Sequence, residues 1–165
     1  MDHAPLHPGV RVGHVHLRVS DLERSLRFYR DALGFNVTAY GPAFGLRAVF
    51  LAAGGYHHHI ALSTWTSAGG APPRLRYTGL YHVAILYPNP QELVGAVRRV
   101  LDHGHPIDEA DDHGATVSVY LRVPDENGIE LYYDRPREAW SDSQGWPILK
   151  AEPFDIDDLL HGSIQ

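Results

Sequence analysis

Twelve histidines and no cysteine stand among the 165 residues. Three positions could do metal chemistry. His16 and His82 each lie in an apolar, strand-like run, GHVHLRV from Gly13 and GLYHVAI from Gly79, and Glu130 sits between Ile129 and Leu131. A lone carboxylate is costly to bury, so a glutamate in the middle of an apolar strand usually has a partner such as a cation. Two imidazoles and one carboxylate that leave coordination positions open form the facial set associated with non-haem iron(II). Any one of the three, taken alone, is more simply a core imidazole or a solvent-facing carboxylate. The absence of cysteine excludes a disulfide frame, a thiolate zinc site, a cysteine nucleophile and an iron–sulfur cluster. Imidazole and carboxylate ligands suit zinc, iron, nickel or manganese.

What strengthens the metal reading is an internal repeat. With Gly13 set against Gly79, His16 matches His82, and Leu17 and Val19 match Val83 and Ile85. Alternation along the first run puts His14 and His16 on one face, opposite Val15 and Leu17. Each run leads into a helix. In the first copy Ser20-Asp21-Leu22-Glu23 reads as a capping box, Leu22, Leu26, Tyr29 and Leu33 share one face, and Gly34 is the stop. In the second, Pro90 suits a first helical position, Leu93, Val97, Val100 and Leu101 form the stripe, and Gly104 ends it. Strand-like runs follow at 36–40, 46–52 and 59–65, and again at 107–108, 117–123 and 129–134. Aligning the last run of each copy puts Ala61 opposite Glu130, so the first copy offers no carboxylate there.

The expected fold class is therefore α+β: two βαβββ modules, residues 10–66 and 79–137, forming a curved mixed sheet around a metal cleft with helices outside. Residues 67–78, rich in Gly and Pro, read as the linker. Residues 138–165 form a C-terminal tail in which 155–160 suggests a short helix. The 14 basic and 20 acidic residues give a formal charge of −6. No basic cluster points to nucleic acid. No apolar run approaches the ~20 residues that span a bilayer, and the N-terminus lacks a signal-peptide core. A soluble cytoplasmic protein with no nucleic-acid or membrane partner is the expectation.

The two-module pattern, with GHVHLRVSDLERSLRFYRDALGF and DENGIELYYDRP, resembles the vicinal oxygen chelate superfamily, the glyoxalase/bleomycin resistance/extradiol dioxygenase fold. Within it, GGYHHHIAL followed by GLYHVAILYP is similar to the extradiol, catechol 2,3-dioxygenase-type enzymes. The resemblance implies metal ligands at His16, His82 and Glu130, with Fe(II) bound and Mn(II) as the alternative. It implies catalytic roles for His58 in His58-His59-Ile60-Ala61-Leu62, for His113 in His113-Gly114, and for Tyr120, ten residues before the glutamate. The implied partners are a small catecholic substrate and O2, and a homodimer is expected. Many such enzymes carry four modules. With two, the substrate walls must come from the tail or a partner subunit. A glyoxalase-like isomerase or lyase would need an acidic residue from each module, which Ala61 does not supply. A metal-free drug-binding resistance protein would have no need of the triad.

Overall fold

Each half of the chain builds the same unit, and the helices of the two units meet in one core. The computed structural model describes residues 4–74, 76 and 78–164. Leu75 and Tyr77 of the expected linker lie outside the described residues. The first unit runs β1 (Val15–Arg18), α1 (Leu22–Arg27), β2 (Asn36–Tyr40), β3 (Ala48–Ala52) and β4 (Ile60–Ser63). The second runs β5 (His82–Tyr87), α2 (Pro90–Asp102), β6 (Glu109–Asp112), β7 (Thr116–Arg122) and β8 (Gly128–Asp134). The tail adds β9 (Glu152–Pro153) and α3 (Ile156–Leu160). The strands divide into a sheet ordered β1-β4-β3-β2 and one ordered β5-β8-β7-β6-β9. Among the described residues no ladder joins β1 to β5.

In both sheets the first strand pairs in parallel with the last of its module, Val15 through Arg18 with Ile60 through Ser63 and His82 through Tyr87 with Gly128 through Tyr133. Alternation then sorts the side chains. Leu17, Ile60 and Leu62 in one sheet, and Ile129, Leu131 and Tyr133 in the other, face inward and are buried. His16 and Glu130 fall on the opposite faces. The inward residues join Leu26, Phe28 and Tyr29 of the first helical segment and Leu93, Val97 and Val100 of α2 in a single cluster. At Phe28–Ala32 the first helix widens into a π-turn. That extra residue per turn buries two successive aromatics, Phe28 and Tyr29, packed edge to face with centroids 5.2 Å apart.

The caps differ from the expected pattern in an informative way. Asp21, not Ser20, caps α1, its carboxylate accepting from the Arg24 amide. Ser20 is drawn instead to Asp125, in the turn between β7 and β8. Asp125 is buried (6% exposed) and accepts from the Ser20 amide at 3.1 Å, the Ser20 hydroxyl at 2.6 Å, the Ser25 hydroxyl at 3.0 Å and Arg24 Nη2 at 2.7 Å. One carboxylate of the second module thus fastens the helix of the first. In the second helix Pro90 takes the first turn as expected, with Asn89 as its cap. In the tail, Leu159 of α3 is buried, and Arg98 of α2 donates to the Leu160 carbonyl at 2.7 Å. No helix among the described residues is long and apolar enough to cross a membrane.

Asp125→Ala leaves the two hydroxyls without their buried acceptor. The expected loss is roughly 2–4 kcal/mol of unfolding free energy, read as a lower urea midpoint. Arg24 is too exposed to account for that loss (side chain 41%), so Arg24→Ala should cost far less. Equal effects of the two changes would contradict this assignment of the latch.

Candidate metal centre in two halves

The outward face of β7 and β8 gathers one half of the site. Tyr120 and Glu130 are direct partners in the β7–β8 ladder, and His82 lies on the neighbouring β5. His82 Nε2 is 3.0 Å from Glu130 Oε2, and the Tyr120 hydroxyl is 3.1 Å from Glu130 Oε1. His113 Nε2 is 2.8 Å from the same hydroxyl, and His113 Nδ1 is 2.7 Å from the Lys150 carbonyl. A carbonyl only accepts, so Nδ1 carries the proton there. The Tyr120 hydroxyl has a single proton and donates it to Glu130 Oε1. Burial above all, and then the Glu130 charge, push the Tyr120 phenol well above its ordinary range, so it stays protonated at neutral pH. A cleft of about 260 Å³ opens beside these groups, lined by Tyr81, His82, Asp111, His113, Tyr120 and Arg122 among others.

Two glycines make room for this half. Gly128 is the ladder partner of His82, and a Cβ there would run into the Tyr81 carbonyl and His82 Cβ. Gly114 has φ +82 and lies under the side chain of Ile148, so the tail can close down beside His113. The tail is tied by charge as well. Asp112 receives Arg135 Nη1 at 2.9 Å and has Lys150 Nζ at 3.4 Å. Burial opposes ionisation of Asp112, but the Gly114 amide and Arg135 outweigh it and hold its carboxyl below the usual range.

The other half lies on the first sheet. His16 Nε2 is 2.9 Å from Ser63 Oγ, and the His16 ring meets Trp65 edge-on with centroids 5.1 Å apart. The His58 ring packs against His14, tilted by 51° with centroids 4.5 Å apart, and its Nδ1 is 2.8 Å from His57 Nδ1. Partial burial, then the neighbouring imidazoles of His14, His57, His16 and His59, lower the His58 pKa from the ordinary histidine value. Its neutral form therefore dominates at pH 7, as a general base requires.

The structure thus brings His82, His113, Tyr120 and Glu130 together and keeps His16 and His58 with the first sheet. Neither His16 nor His58 lines the cleft beside His82. Among the described residues of a single chain, no three His, Asp or Glu side chains are spaced to hold a metal ion. The donor set itself suits a divalent cation: a half-buried carboxylate, 13% exposed, faces an imidazole nitrogen, and His82 Nδ1 is buried without a partner.

Two participants escape a reading of the sequence. One is the Lys150 carbonyl, for which no side-chain pattern could serve as a signal. The other is Ser63. With His16 and His82 equivalent, the pairs Leu17–Leu62 and Val83–Ile129 make Ser63, not Ala61, the counterpart of Glu130. Alignment of the two strands by sequence alone slips by two residues, which alternation cannot reveal because both positions face the same way. The first module still offers no carboxylate.

Residues 11–131 match the model of the Glyoxalase/Bleomycin resistance protein/Dioxygenase superfamily, and the chain belongs to that family. It is 38% identical over 156 residues to the catechol-2,3-dioxygenase of Bacillus subtilis (strain 168), covering 94% of this chain and 53% of that protein. It is 34% identical over 153 residues to the biphenyl-2,3-diol 1,2-dioxygenase 3 of Rhodococcus globerulus, covering 92% of this chain and 70% of that protein. The chain therefore spans about half the length of the first relative. Among solved structures it is similar to a glyoxylase/bleomycin resistance protein/dioxygenase domain from Frankia sp. EAN1pec, with TM-score 0.65 and 20% identity, covering 78% of this chain and 94% of that one. It is also similar to a lactoylglutathione lyase from Agrobacterium tumefaciens, with TM-score 0.58 and 20% identity, covering 77% and 96%. Likeness at that identity shows the fold alone.

NMR titration of the histidine ring protons checks the electrostatics of the first half. The metal-free protein should show His58, assigned by loss of its signal in His58→Gln, titrating below the ordinary histidine value of about 6.5. A midpoint above that value would contradict the crowding of His58 by His14, His57, His16 and His59.

Proposed function

We propose that the protein is an extradiol ring-cleaving dioxygenase that opens a catechol-type substrate with O2. Its metal, Fe(II) with Mn(II) as the alternative, would be held by His16, His82 and Glu130. The observation that carries this reading is the Glu130 carboxylate set against His82 and backed by the Tyr120–His113 pair. The two dioxygenases that the chain resembles over more than nine-tenths of its length support it. A divalent metal bound there would acidify the substrate hydroxyls and bring dioxygen to the ring.

The protein's own groups supply the rest. His58, neutral at pH 7, takes a proton from a substrate hydroxyl and returns it as the ring opens. Tyr120 stays protonated and offers a hydrogen bond to developing negative charge. His113, fixed in one tautomer by the Lys150 carbonyl, orients that phenol. The product keeps both oxygen atoms of O2, as a ring-opened semialdehyde acid.

The missing half of the site would come from a second copy. In a homodimer, His16 and His58 of one protomer would complete the His82–Glu130 half of its partner.

Anaerobic loading with Fe(II), then catechol and air, should give oxygen uptake and a yellow ring-cleavage product. No uptake with any catechol, together with turnover of a glutathione hemithioacetal, would overturn the reading. Glu130→Ala should weaken metal binding by more than the 10–100-fold that loss of an outer-shell partner costs. His58→Ala should keep its metal and lose about 10²–10⁴-fold in turnover.

A mixing experiment tests the shared site. His16→Ala and Glu130→Ala are each expected to be inactive, and a heterodimer of the two contains one intact site. Random exchange should therefore restore about a quarter of wild-type activity. No recovery despite proven subunit exchange would show that each chain closes its own site.

A further inference from the structure

Three carboxylates line the cleft beside His82: Asp108, Glu109 and Asp111. Asp108 has a counter-ion, Arg122 Nε at 3.7 Å, and both side chains are about half exposed. Arg122 is the only lysine or arginine among the described lining residues. Glu109 is exposed at the rim. Asp111 differs from both. It is 6% exposed, and among the described residues no side chain donates to its carboxylate or pairs with it.

The register fixes the direction of Asp111. Glu109, Tyr120 and Glu130 form one rung across β6, β7 and β8, since Glu109 pairs with Tyr120 and Tyr120 with Glu130. Asp111 pairs with Ser118, two residues from Tyr120, so alternation puts it on the same face as Glu130. After burial and the Glu130 charge, the Asp111 charge also helps to keep the Tyr120 phenol protonated. Strands lie about 4.8 Å apart and a two-residue step covers about 6.8 Å, so the Asp111 and Glu130 backbones are roughly 12 Å apart. A catechol ring carrying a two-carbon arm, with a hydrogen bond at each end, is about that long. A buried carboxylate without a partner is unfavourable, and a cation that reaches it relieves the penalty.

We propose, resting on the ring-cleavage reading above, that Asp111 selects the substrate by charge. The site takes a catechol whose side arm ends in an ammonium group, and the Asp111 carboxylate holds that group. An arm ending in a carboxylate meets Asp111 and Glu109, while the one guanidinium of the lining is already held by Asp108. Such a substrate is rejected by like charge. A neutral arm leaves Asp111 unmet. A charge-assisted hydrogen bond in a cleft of this kind separates the ammonium arm from the neutral one by at least about tenfold.

Three catechols that differ in the arm at ring position 4 test the selection: the 2-aminoethyl, the ethyl and the carboxymethyl compound. Each is titrated anaerobically into the Zn(II)-loaded protein by calorimetry, and its kcat/KM is measured with the Fe(II) protein. By both readings the 2-aminoethyl compound should exceed the ethyl compound by at least about tenfold, with the carboxymethyl compound weakest. In Asp111→Asn the aminoethyl-to-ethyl ratio should fall to about one, whereas Glu109→Gln, at the exposed rim, should lower it by less than about threefold. A wild type that treats the three compounds alike, or favours the carboxymethyl one, would overturn the proposal before any variant is made. So would an aminoethyl preference that survives Asp111→Asn. Failure of all three compounds to bind or turn over would overturn the ring-cleavage reading itself, and the charge selection with it.

Discussion

A carboxylate half-buried in the middle of a β-strand is the constraint around which this molecule is arranged. Glu130 alternates with Ile129 and Leu131, both fully buried, so the strand cannot rotate it into water without exposing the core. Its charge must be met where it stands. The structure meets it with an imidazole on β5, a phenol on β7 and, through that phenol, a second imidazole whose other nitrogen is tied to the tail. Gly128 leaves space for the histidine and Gly114 admits the tail. Several features that look separate in the sequence are thus answers to one buried charge.

The same economy explains why one chain shows only half of the constellation. The modules are joined through their helices, by a shared apolar core and by the Asp125 latch, so their core-facing surfaces meet each other. His16 and Glu130 lie on the faces turned away from that junction. Two half-sites made by the same repeat remain on separate sheets, one ending in a serine and the other in a glutamate. Family membership accounts for the fold, which hosts several chemistries.

Much of this was legible in the residues, and the gaps have physical causes. The repeat, both helices, their glycine stops and most strands followed from periodicity and turn chemistry. The first helix cap did not, because Ser20 found a stronger partner 105 residues away in Asp125, and local patterns carry no information about such contacts. Strand β6 lies at Glu109–Asp112 rather than at Ile107–Asp108, since its acidic residues are held by partners on β7 and the tail. Glu130, His82 and Tyr120 were visible as polar residues in apolar strands. Ser63 was hidden by a two-residue slip that leaves the in–out pattern unchanged, and the Lys150 carbonyl belongs to a backbone that no side-chain pattern marks.

His16, His82 and Glu130, proposed to hold one metal, lie in two half-sites. X-ray absorption at the iron edge of the anaerobically loaded protein tests that proposal directly, by counting imidazole scatterers around the metal. Two imidazoles are expected in the wild type, and one in His16→Ala and in His82→Ala alike. The same imidazole count in the wild type and in His16→Ala would mean that the first module contributes no ligand, and would contradict the account.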